Sequence, residues 1–152
     1  MTATHQKPSP EDTPELPDAS LPDVVLQILA KGAQEGGLEL GVTLSVSGGL
    51  VTGTLVGRDR WFQELGDFIE QAADRPDARS LADELGELMS EVGKPADGED
   101  GFVSTLQYVF IHLINARYVQ GSQLMPNQGT MLWRGRISEV AGFSVGTLAA
   151  GQ

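Results

Sequence analysis

The chain has 152 residues and a mass of 16.2 kDa, the size of one domain with a single core, which excludes a multi-domain machine. Ten Lys and Arg against 21 Asp and Glu give a net charge of −11 and a pI near 4.4, so the average surface repels phosphate backbones and argues against a nucleic-acid binder. There is no cysteine, which removes disulfides, thiolate metal sites and cysteine nucleophiles.

Residues 1–20 read as a disordered acidic tail. Pro8, Pro10, Pro14 and Pro17 alternate there with Glu11, Asp12, Glu15 and Asp18, and too little apolar surface is available to offset the entropy of ordering. The start carries neither a basic region nor an apolar run of the signal-peptide kind, and no window approaches the roughly 18 to 20 apolar residues of a membrane span. A cytoplasmic protein without membrane contact is expected. Residues 21–152 are expected to form a single domain.

Ser20-Leu21-Pro22-Asp23 predicts a helix start, with Val24, Val25, Ile28 and Leu29 as the buried stripe and Gly36-Gly37 as the stop. Leu40, Val42, Leu44 and Val46 then alternate with small polar residues, a strand with one buried face. Gly48-Gly49 predicts a tight turn and Leu50 to Val56 the return strand, in which Gly53 marks a bend or the close approach of another backbone.

An insertion over residues 59–101 predicts two helices. Asp59 is placed to cap the first, with Trp61, Phe62, Leu65, Phe68, Ile69, Ala72 and Ala73 as its apolar stripe. Ser80 is placed to cap the second, with Leu81, Leu85, Leu88, Met89 and Val92 inside and Asp83, Glu84, Glu87 and Glu91 outside. From Glu70 to Gly101 acids far outnumber the three bases Arg75, Arg79 and Lys94, and Gly93 to Gly101 reads as a mobile loop.

Leu106 to Val119 predicts a long strand, Gly121 to Gly129 a turn region, and Met131 to Val140 with Phe143 to Leu148 a second hairpin across Ala141-Gly142. A leading helix with about five glycine-bent strands predicts an α+β fold, a small mostly-β barrel of the SH3-like or Sm-like kind, with an N-terminal helix and a two-helix insertion.

Metal and cofactor motifs are lacking, since no H-x-x-x-H or phosphate-loop pattern occurs. His112 is flanked by Ile111 and Leu113 as a strand histidine, so no enzyme, metal or cofactor is expected. The residues that stand out are cationic and aromatic. Arg134 and Arg136 share a strand face, and Arg117 lies on another strand; they form either a positive patch for a partner's carboxylates or internal pairs with Glu139 or the insertion acids. Trp133, Trp61 and Phe62 are either core or anchors of an interface.

The segment GVTLSVSGGLVTGTLVG resembles the first Sm-like signature, and MLWRGRISEVAGFSVG the second, although an Sm-like chain lacks the insertion. An Sm-like nucleic-acid-binding regulator is the alternative that this implies. GVTLSVSGGLVTGTLVGRDRWF, FIHLINARYV and MLWRGRISEVAGFSVGTL together resemble the gas vesicle accessory protein GvpU family over residues 24–149. That resemblance implies a cytoplasmic, non-catalytic protein associated with gas vesicles. It implies a role in their assembly, maturation or clustering through contacts with shell or assembly proteins. A homo-oligomer is a further expectation, with Trp133, Arg134, Arg136, Arg117, Trp61 and Phe62 as the candidate contact residues.

Overall fold

The structure, a computed structural model, describes residues 21–73, 76–92 and 108–149. The expected acidic tail and the loop at 93–101 lie outside these residues.

Helix α1 spans Val24–Gly36 and starts at Asp23, whose Oδ1 accepts from the Val25 amide at 2.8 Å and the Leu26 amide at 3.4 Å. It stops where Gly37 turns left-handed at φ 69°. The buried stripe is Leu26, Ala30 and Ala33 with Leu29 at its side, whereas Val24, Val25 and Ile28 face water. This corrects the expected face. Two apolar stripes run along the helix, and the one with two alanines lets the backbone come close to the sheet, while the buried Gln27 amide donates to the Tyr108 carbonyl at 2.9 Å.

Strands β1, Leu40–Val46, and β2, Gly49–Val56, pair antiparallel as the alternation predicts, with Val46 opposite Gly49. The turn is therefore Ser47-Gly48, one residue earlier than expected, with Gly48 at φ 94°. Gly53 has the close neighbour anticipated for it: a Cβ there would stand 3.0 Å from both Ala116 Cα and the Ile114 carbonyl oxygen. The neighbour is β3, Phe110–Gln120, whose pairing with β2 slips between Thr52 and Thr54 at a bulge where Asn115 takes φ 50°.

Helix α2, Arg58–Ala73, and helix α3, Pro76–Val92, pack on each other. The expected caps are corrected. Asp59 lies inside the first turn of α2, and instead of capping it accepts from Gln34 Nε2 at 2.9 Å and returns its own amide to Gln34 Oε1 at 3.2 Å, tying α2 to the end of α1. Helix α3 begins four residues before Ser80, with Pro76 in the first turn where its missing N–H costs nothing.

The rest of the sheet differs from the expected hairpin. Short β4, Gln123–Met125, forms inside the presumed turn region; β5, Met131–Arg136, joins β3; and after a 3-10 turn at Ile137–Glu139, β6, Val140–Val145, joins β1. The order is β4-β3-β2-β1-β6, with β5 also on β3. The fold is α+β, and among the described residues there is one six-stranded antiparallel sheet that is open, since β5 and β6 pair at its opposite sides and not with each other. This corrects the closed five-strand barrel. The sheet is nonetheless curled so far that three residues carry the chain from one side to the other.

Two apolar clusters flank the sheet. On one face Leu26, Ala30 and Ala33 of α1 meet Val42, Leu44, Val51, Leu55, Ile111, Leu113, Ala116 and Ile137; on the other, Trp61 and Phe62 of α2 meet Val56 and Ile114. Period two explains the division, since Val42 and Leu44 point to α1 while Thr43 points away. Each fully buried Leu or Val contributes about 1.5–3 kcal/mol, so the α1 face carries most of the apolar stabilisation.

Candidate interaction surface

Strand β5 carries three of the six candidate residues. It pairs antiparallel with β3, placing Trp133 opposite Leu113, Arg134 opposite His112 and Arg136 opposite Phe110. Alternation then sends Trp133 and Arg134 to different faces. Trp133 packs against the α1-side core, its ring lying over Gly135, and its Nε1 donates to the Tyr118 hydroxyl at 3.0 Å. A side chain at position 135 would collide with the indole, which explains the glycine there.

Arg134 turns toward α2. Its Cζ stands 3.6 Å from the centre of the Phe110 ring, and its Nε donates to His112 Nε2 at 3.2 Å. Burial lowers the pKa of this guanidinium from its ordinary value. His112 is 6% exposed, with the rings of Trp61 and Phe62 centred 5.5 and 6.3 Å away. Burial first, then the positive charges of Arg134 and Arg58, hold its pKa down to about 3, so the imidazole is neutral. Because Nε2 accepts from Arg134, the hydrogen-bond pattern assigns the ring proton to Nδ1. The lone pair of His112 is thus already engaged by a cation.

Trp61 and Phe62 are core residues, 8% and 9% exposed, packed edge to face at 5.1 Å. The Trp61 Nε1 donates to the Leu113 carbonyl at 3.2 Å and so pins α2 to β3. Arg117 lies opposite Thr52, five positions along β3 from His112 and hence about 16 Å from the Arg134 level. The three arginines therefore do not gather into one patch. Among the described residues no ion pair joins Arg117 or Arg136 to Glu139 or to an insertion acid, and the insertion acids of 93–101 lie outside these residues.

Among the described residues, strand β6 pairs with β1 along one edge only, and beyond it residues 146–148 cross the face of β1 and β2. Thr43 Oγ1 donates to the Gly146 carbonyl at 2.9 Å, and the Leu148 amide donates to Thr52 Oγ1 at 2.8 Å. Beside this strap Thr43, Ser45, Leu50 and Phe143 line a hollow of about 340 Å³. On the helical pair Phe68, Leu81, Leu85 and Leu88 are exposed, although their helical spacing reads as core in the sequence. Spacing reveals a stripe but not whether a neighbour covers it.

Among the described residues no helix is long and apolar enough to cross a membrane. Residues 23–148 match the family described as gas vesicle protein GvpU-like. No curated protein and no solved structure matches the chain.

Proposed function

The chain belongs to the GvpU-like family of gas vesicle proteins, and from that membership we propose a non-enzymatic accessory role in gas vesicle assembly, maturation or clustering, exercised in the cytoplasm through contacts with shell or assembly proteins. The observation that carries the mode of contact is the outer edge of β6, which no other described strand pairs. Gly146 donates to the Gly41 carbonyl at 2.7 Å, and alternation from that bonded pair turns the amides of Phe143 and Val145 outward. Unpaired backbone groups of this kind accept an added strand from a partner. The engaged lone pair of His112 supports the non-enzymatic reading, since it leaves no free base at the most buried titratable group.

Deletion of the gene in vesicle-forming cells tests the role, with vesicle number, form and arrangement scored by electron microscopy. A change restored by the intact gene is expected; vesicles of normal number, form and arrangement would overturn the role. The edge is tested by Val145→Pro, which removes an outward amide, against Val145→Ala, which keeps it. Only the proline variant is expected to lose co-fractionation with vesicles. The same edge admits pairing between copies, which light scattering over a concentration series reads directly.

A further inference from the structure

We propose that the leucine face of α3 docks a basic amphipathic helix of a partner protein. The inference rests on the accessory role proposed above and adds the chemistry of one contact.

Leu81, Leu85 and Leu88 follow the i, i+4, i+7 spacing of one helix stripe and are 54%, 37% and 57% exposed. Helix α3 is fastened to α2 by a different face. Arg79 binds Asp67 and Glu70 of α2, and Gly86 sits against Phe62, where a Cβ would stand 3.5 Å from the phenylalanine Cβ. At about 100° per residue these two positions lie roughly 140° around the helix from the leucines, so α2 leaves the stripe uncovered.

Charge selects the occupant. Asp77 and Glu84 border the stripe, and Asp83 and Glu87 stand farther round, all four exposed. The described cation of α3, Arg79, is turned to the carboxylates of α2. The leucines therefore lie on an anionic surface. A second copy of this face would set carboxylates against carboxylates, and an anionic bilayer would be repelled in the same way. A helix that pairs an apolar stripe with flanking lysines or arginines satisfies both features.

The test is fluorescence anisotropy with a labelled synthetic leucine–lysine helix whose leucines form one stripe. The comparison peptides are a leucine–lysine peptide of the same composition in scrambled order and a leucine–glutamate helix. The full chain is expected to bind the striped basic helix and neither of the others. Leu81→Ser, Leu85→Ser and Leu88→Ser together should weaken binding roughly tenfold or more. Asp77→Asn with Glu84→Gln should weaken it severalfold, while Glu39→Gln with Glu139→Gln, which removes the same charge elsewhere, should change it less than about twofold. Thermal melts check folding, and Leu88→Ser alone gives the same reading if the triple variant melts early.

Unchanged binding by the serine variants overturns the proposal. So does equal capture of the scrambled peptide, equal weakening by the two charge pairs, or a dimer of the full chain that the serine variants abolish. No vesicle enters this measurement, so its failure leaves the accessory role standing, and a silent gene deletion leaves the docking face standing.

Discussion

At the scale of single residues, the neutral imidazole of His112 has a consequence for acid stability. Burial, with the Trp61 and Phe62 rings of α2 close by, and then the charges of Arg134 of β5 and Arg58 of α2 lower its pKa from 6.5 to about 3. The unfolded chain takes up this proton near 6.5 and the folded chain does not, so the contribution is fully present above about pH 6.5 and declines as pH falls toward 3. The slope from this one group is about 1.4 kcal/mol per pH unit within that window. Urea unfolding at a series of pH values should show His112→Phe with a shallower decline than the parent; equal slopes would mean that His112 titrates normally in the fold. The partners of Arg134 were hidden in the sequence for a specific reason. Alternation separates Trp133 from Arg134 correctly, but the contacts with Phe110 and His112 arise from the β3–β5 register, and local spacing does not encode a distant pairing.

At the scale of elements, Gly57, between β2 and α2, is pressed against the last turn of α1. A Cβ on Gly57 would stand 2.7 Å from the Ala33 carbonyl oxygen and 2.9 Å from Gln34 Cα, both backbone atoms that do not swing aside. Gly57→Ala is therefore expected to cost about 1–3 kcal/mol. Thermal unfolding checks it, and an unchanged midpoint would show that the two helices slide freely. The β1–β2 hairpin was legible because alternation and glycine agree over adjacent residues. The second hairpin failed because Ala141-Gly142 has turn composition but lies within β6, while the chain turns at Ile137–Glu139, where the fully buried Ile137 is drawn into the core. The burial of α1 was ambiguous for a related reason: both of its stripes are apolar, and only the packed sheet selects between them.

At the scale of the whole molecule, charge dominates. A net charge of −11 is scarcely offset locally, since Arg60 is held by Glu39 at 2.6 Å and Glu64 at 3.1 Å, and Arg79 by Asp67 and Glu70. The separated arginines offer no concentrated positive field. Filter binding with labelled RNA at low salt is therefore expected to show no retention. Retention that falls steeply with added salt would revive the Sm-like alternative.

The joining of β6 to β1 has a further consequence for biosynthesis. A hydrogen bond from Thr43 to Gly146 spans 103 residues of sequence, so the hairpin made early waits, with one rim bare, until translation has passed residue 145. Contacts this remote in sequence make folding slow and expose intermediates to wrong pairing. Interrupting synthesis before that point would release a chain with an unguarded strand, a natural client for chaperones.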